Sequence, residues 1–258
     1  MALRIGIAGI AGRMGQLLAA EVLKTGAALA GGTLRDGGKA APHGTAVFAD
    51  IDALFAASDV VIDFTIAATT DAHAAAAARA GKPFILGTTG LTLAQEAGLA
   101  EAAKQAPIVY AANFSPGVNL VFALAEKMGA ALSGDRYDAE IVEMHHRQKV
   151  DAPSGTAVAI GRAVAKGRGT TMEEAGIESG RDGHTGPRKT GAIGFAALRG
   201  GQVVGEHTLL FASGTEHIAL THRSFDRAAY AVGAVQAANW AAGKPAGLYD
   251  MKDVLGMR

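Results

Sequence analysis

Short apolar runs alternate with longer amphipathic or alanine-rich runs over the first hundred residues. Residues 3–8, 29–34, 60–64, 84–86 and 108–111 read as strands. Residues 13–24, 70–79 and 93–105 read as helices, the first with Met14, Leu17, Leu18 and Val22 near one face. The run 60–64, VVIDF, is apolar almost throughout, as in a strand covered on both sides. Gly81-Lys82-Pro83 is a stop signal for the second helix. A repeated strand–helix order predicts a parallel sheet packed between helices.

After residue 114 the pattern changes. It predicts a helix over 118–132, a strand over 138–144 and a helix over 156–166. A turn-laden Gly/Arg-rich segment, 176–190, precedes three β-like runs at 193–198, 207–211 and 217–222; helix returns from about 227. The expected class is α/β. A nucleotide-type parallel-sheet domain takes residues 1–114 and 226–258. A smaller α+β domain with an open mixed sheet takes 115–225, for substrate binding and oligomerisation. The polar, Gly-rich stretch 33–46 reads as an irregular connection.

With 258 residues, 49% hydrophobic and 19% charged, the chain has material for a sizeable core. A formal net charge of zero gives no reason to expect nucleic acid or an anionic membrane as partner. The absence of cysteine excludes disulfides, thiolate zinc sites and cysteine nucleophiles. The opening MALRIGIAGIAG is too broken by glycine for a signal peptide, and no run approaches the roughly 18 apolar residues of a membrane helix. A cytoplasmic protein is expected.

Gly9-Ile10-Ala11-Gly12-Arg13-Met14-Gly15 stands between the first strand and the first helix. Such a turn lets a pyrophosphate approach bare backbone at a helix N-terminus, so the position suggests a Rossmann-type dinucleotide site. At the end of the second strand, Arg35 suits the extra phosphate of NADPH and Asp36 suits a ribose; NADPH is the preferred reading, with NADH open. Gly87-Thr88-Thr89 and Ala112-Asn113-Phe114 follow later strands, where ligands of open α/β sheets bind.

The stretch EIVEMHHRQKVDAPSGTA (140–157) holds the densest chemistry. The strand is expected to end near Met144, leaving His145 and His146 on a loop where both converge. Three readings apply: a metal site needing a third ligand such as Glu143, a solvated basic cluster, or an acid/base and anion-binding site. Histidine titrates near neutrality, Lys149 adds a fixed charge, and a helix beginning at Ser154-Gly155-Thr156 offers N–H groups to a carboxylate. Asp151 or Ser154 could equally be a plain cap. No metal is expected. A proton donor beside a hydride donor would reduce C=C or C=N in a small anionic substrate.

These segments resemble the dihydrodipicolinate reductase family: GIAGIAGRMG (6–15), VIDFT (61–65), GTTG (87–90), AANFSPGVNL (111–120), the 140–157 run, GRDGHTGPR (180–188), GEHTLLFA (205–212) and GLYDMKDVL (247–255). The resemblance implies reduction of 4-hydroxy-tetrahydrodipicolinate with NAD(P)H on the diaminopimelate route to lysine. It implies His145 as proton donor, assisted by Lys149, with His146, Gly155 and Thr156 on the substrate carboxylates. Gly9, Ala11 to Met14, Gly87 to Thr89 and Ala112 to Phe114 would line the cofactor. A homotetramer built through the second domain is implied too. Where many members carry an acidic residue after the second strand, this chain has Leu34 and Arg35, which supports NADPH. Two other readings remain: a related dehydrogenase for another small acid, and a non-catalytic NADPH-binding protein.

Overall fold

The computed structural model describes residues 2–35, 40–42 and 44–257. The chain opens with β1 (Arg4–Ala8), α1 (Arg13–Lys24), β2 (Ala28–Thr33), β3 (Val47–Phe48), α2 (Ile51–Ala57), β4 (Val60–Asp63) and α3 (Thr70–Ala80). β5 (Phe84–Leu86), α4 (Leu93–Ala102) and β6 (Pro107–Tyr110) follow. Next come α5 (Pro116–Ala131), β7 (Asp138–His145), α6 (Gly155–Gly167), α7 (Met172–Ala175), β8 (Ile177–Ser179), β9 (Ile193–Arg199), β10 (Gly205–Ala212) and β11 (His217–Ser224). α8 (Ala228–Ala241), β12 (Gly247–Tyr249) and α9 (Met251–Val254) complete the order. Two compact units result: Met1–Pro116 with Ala228–Arg258, and Gly117–Arg227.

The first unit is a seven-stranded parallel sheet in the order β12-β6-β5-β4-β1-β2-β3. Alternation along the strands feeds two cores. Ile5, Ile7, Val60, Ile62, Ile85 and Val109 pack with α1 and α8 on one face. Val61, Phe84, Leu86 and Ile108 pack with α2, α3 and α4 on the other. The strand order reverses between β1 and β4, the place where open parallel sheets take ligands. α2 is started by Asp50, whose Oδ1 accepts the Ala53 N–H at 2.8 Å.

The second unit is a five-stranded mixed sheet, β11-β10-β7-β9-β8. β10 runs antiparallel to β7 and β11, while β9 runs parallel to β7 and β8. Ile141, Phe195, Leu209 and Phe211 face α5 and α6 through Val121, Ile160 and Val164. The opposite face carries exposed Val142 and Leu198. The strand β8 lies inside the segment read as turns, held there by its pairing with β9.

Candidate active site

The glycine turn has the build of an anion cradle. Gly9 sits at φ 69°, a backbone setting that favours glycine. A side chain there would meet Thr65 Cγ2 at 2.9 Å. Gly12 is the N-cap of α1 and donates its N–H to the Gly9 carbonyl at 2.9 Å. A Cβ on Gly15 would collide with the Gly9 carbonyl oxygen, so the third glycine lets helix and strand pack closely. Around this turn lies a cleft of about 620 Å³, lined by Gly9, Ala11, Gly12, Arg13, Met14 and Arg35 from the sequence-based set. Phe64 and Thr65 of the VIDFT segment line it too, as do Ile66, Thr69 and His73; none of the five was given a role from sequence.

The other expected cofactor residues lie elsewhere in the same unit. Gly87 must be glycine because a Cβ would strike the Phe64 ring. Thr88 is buried, and its Oγ1 has no hydrogen-bond partner among the described residues. The Phe114 ring is in the core against Phe64, centroids 5.4 Å apart, so its side chain belongs to packing. Asn113 Oδ1 accepts the Ser115 N–H at 2.8 Å, while Ala112 follows β6 by two residues. Asp36 lies outside the described residues.

In the second unit the expectation for the histidine pair is corrected. β7 runs through His145, which pairs with Arg199 in the parallel ladder to β9; only His146 is past the strand. Glu143 and His145, two apart on this strand, therefore share a face of the sheet. His145 Nδ1 lies 2.7 Å from Glu143 Oε2. The Glu143 carboxylate is buried and takes three further donors: Arg199 Nη1 and Nη2, both at 2.8 Å, and the Ser154 N–H at 3.0 Å. Burial alone would raise this carboxyl; the hydrogen bonds from Arg199, His145 and Ser154 outweigh it and hold it below the usual carboxylate range. An ionised Glu143 can only accept, so the His145 Nδ1 carries hydrogen. The other ring nitrogen, Nε2, faces Gly205, where an added Cβ would come within 3.0 Å of it.

Ser154 is the N-cap of α6, its Oγ accepting the Ala157 N–H at 3.2 Å and meeting His207 Nε2 at 2.9 Å. The first-turn N–H groups of Gly155 and Thr156 have no intrahelical acceptor, as at any helix start. Lys149 Nζ is held by both oxygens of exposed Asp151, at 2.7 and 2.9 Å, and the Lys149 N–H closes a turn onto the His146 carbonyl at 3.1 Å. His146 Nδ1 is buried without a partner among the described residues. Among the described residues, no three His, Asp or Glu groups are arranged to hold a metal ion.

His207 packs edge-on to His145, ring centroids 5.1 Å apart. Burial pushes its pKa down to about 4, and the neighbouring His145 adds to the effect. The folded value lies below the unfolded one, near 6.5, so the unfolded chain takes the proton first as pH falls. Stability is therefore expected to be complete above about pH 6.5 and to fall from there towards pH 4, by up to about 3 kcal/mol from this group. Melting temperatures measured from pH 7.5 to about 4 should show a shallower decline in His207→Gln; equal slopes would remove His207 as the cause.

Two family models match the chain: "Dihydrodipicolinate reductase, N-terminus" over residues 3–114 and "Dihydrodipicolinate reductase, C-terminus" over 117–255. The chain belongs to the dihydrodipicolinate reductase family. It is therefore an oxidoreductase, with a nucleotide-binding N-terminal unit. It is 66% identical over 257 residues to 4-hydroxy-tetrahydrodipicolinate reductase of Granulibacter bethesdensis, covering 99% of this chain and 98% of the relative. It is 62% identical to the enzyme of that name from Gluconacetobacter diazotrophicus, covering 98% and 97%. A dipicolinate-bound dihydrodipicolinate reductase from a Paenisporosarcina species has the same fold, with a TM-score of 0.80 at 24% identity and coverage of 97% and 98%. No described helix is long and apolar enough to cross a membrane.

Proposed function

We propose that the chain reduces 4-hydroxy-tetrahydrodipicolinate to tetrahydrodipicolinate with NAD(P)H, in the diaminopimelate route to lysine. The first unit takes the dinucleotide and the second takes the dicarboxylate. The glycine turn supports the first assignment, since its close approaches leave bare backbone where a pyrophosphate would lie. Water first leaves the 4-hydroxy ring, made of the hydroxyl and a proton from the adjacent carbon, which opens a C=C in conjugation with the C=N. The reduced nicotinamide, when bound, would supply a hydride to the carbon that carried the hydroxyl. His145 gives the balancing proton to the adjacent carbon from Nε2. The observation that carries this role is the Glu143–His145 pair, with Nδ1 tied to a buried carboxylate at 2.7 Å and Nε2 facing the bare Cα of Gly205. Lys149, His146 and the N–H groups of Gly155 and Thr156 hold the substrate carboxylates. For that, Lys149 exchanges its exposed partner Asp151, a contact of little net strength.

The test couples the protein to dihydrodipicolinate synthase fed pyruvate and aspartate semialdehyde, following NADPH and NADH separately by absorbance. Oxidation that requires both feeds is expected. No oxidation, with NADPH binding intact by fluorescence, would sink the substrate assignment and leave the dinucleotide site standing.

NADPH is the preferred cofactor on the strength of Arg35, exposed in the cleft wall. Arg35→Ala should raise the Kd of NADPH about tenfold and leave that of NADH nearly unchanged, because only NADPH brings a phosphate to a guanidinium. Equal changes would remove Arg35 as the discriminator.

A cytoplasmic homotetramer assembled through the second sheet is part of the same proposal. It draws support from Val142 and Leu198, 38% and 52% exposed on the face away from α5 and α6. Light scattering that returned the mass of a monomer would overturn it.

A further inference from the structure

A second histidine–carboxylate pair stands in the first unit, apart from the chemistry assigned above. Asp63 ends β4, beside β1 at the reversal of strand order, and is fully buried. Its Oδ1 accepts the Thr65 N–H at 2.7 Å and the Thr65 hydroxyl at 2.6 Å. Its Oδ2 lies 2.6 Å from His73 Nδ1, on the first turn of α3. An ionised carboxylate can only accept, so the His73 Nδ1 carries hydrogen and donates. The ring thus has a fixed tautomer and a fixed plane.

That leaves His73 Nε2. Among the described residues it has no hydrogen-bond partner, and it is not one of the buried polar atoms. The side chain is 13% exposed, and the residue lines the same cleft as Gly9 and Gly12. Thr65 joins the pair to the glycine turn, since its Cγ2 occupies the space a Gly9 side chain would need. An imidazole wedged against its own fold on one side, with its second nitrogen open to a ligand cleft, is arranged as a contact. A brace alone would need only the first nitrogen.

We infer that His73, held by Asp63, is a hydrogen-bond partner of the bound dinucleotide, its Nε2 accepting a hydroxyl of the ribose on the nicotinamide side. The side follows from topology. The adenosine end belongs with β2 and Arg35, and the chain of ligand atoms then crosses the reversal point towards β4. This rests on the dinucleotide reading of the cleft and adds a residue to it.

His73→Asn separates contact from brace. Its amide nitrogen stands where Nδ1 stands and keeps the bond to Asp63, while Nε2 is deleted. Fluorescence titration should give Kd values for NADPH and NADH both raised, by the same factor of about three- to tenfold, with the melting temperature held. The equal factor separates this effect from that of Arg35→Ala. Unchanged Kd values in a folded variant would overturn the inference and make the pair a brace. If the variant does not fold, nitrogen-detected NMR of the 15N-histidine-labelled wild type decides. The His73 Nε2 resonance should move on addition of NADPH while Nδ1 holds; a stationary Nε2 would overturn the inference. Failure of the wild type to bind either dinucleotide would instead remove the reading on which this rests.

Discussion

His145→Gln is expected to lower turnover at saturating substrate by at least about tenfold, since general acid help is typically worth roughly 10²–10⁴-fold. NADPH affinity, read by fluorescence, should stay the same, because the glycine turn and its cleft belong to the other unit. Glutamine keeps a donor near the ring position but cannot release a proton. Its nitrogen also cannot draw on the charge of Glu143, since the amide does not become a cation. Turnover within about twofold of wild type would take His145 out of the proton-donating role.

Glu143→Gln is expected to cost nearly as much, although Glu143 reaches the reaction only through His145. The carboxylate now serves four donors on two oxygens: Ser154 N–H and Arg199 Nη2 on Oε1, His145 Nδ1 and Arg199 Nη1 on Oε2. An amide accepts on one side only. With its oxygen kept for Ser154 and Arg199, its NH₂ points at His145 Nδ1 and forces the ring into the other tautomer, a neutral Nε2–H and a poor acid. Turnover should fall about tenfold to a hundredfold, with a stability loss of about 1–3 kcal/mol from the unmatched donors. The deciding readout is the double mutant. In the His145→Gln background, Glu143→Gln should lower turnover by less than about twofold, since nothing is left to orient. The same fractional loss in both backgrounds would mean that Glu143 only holds the fold together.

The parallel sheet was legible because its strands are short apolar runs separated by helices with clear stops. α1 has the same bounds in the pattern and in the structure, because the glycine turn marks its start. Among the elements named for the first unit, four escaped. β3 has two residues and β12 three, too few for any period to register; β3 is defined by its pairing with β2, the strand before it, and β12 by its pairing with β6, far back along the chain. α2 carried a usable signal, Asp50 ahead of IDALFAA, but its seven residues are masked by the apolar character of the run. α9 is a single turn behind a capping Asp250.

The site divides in the same way. Residues adjacent in sequence, from His145 to Thr156, could be read as one constellation. Glu143 could have been read with more force, since residues two apart on a strand share a face. Arg199 and His207 could not be. Arg199 lies across from His145 on β9, and His207 lies across from Glu143 on β10. Such partners follow from strand register, which no local pattern in this chain fixes. Asp63 and His73 sit on different elements, ten residues apart, and are joined by the packing of α3 on β4.

The discontinuity of the first unit bears on how the protein is made. Among the described residues, the core on the face of its sheet covered by α2, α3 and α4 draws on residues no later than Tyr110. The other face needs Ala231, Ala234, Val235, Ala238 and Ala241 from α8, and Met251 and Val254 from α9. During vectorial synthesis, Ile62, Ile85 and Val109, on the strands that α8 covers, therefore wait for more than a hundred residues of intervening chain before that helix leaves the ribosome. The residues 117–227 are contiguous and can close their own sheet first. A nascent chain halted before α8 presents a half-clothed apolar sheet, the kind of surface that holdase chaperones bind.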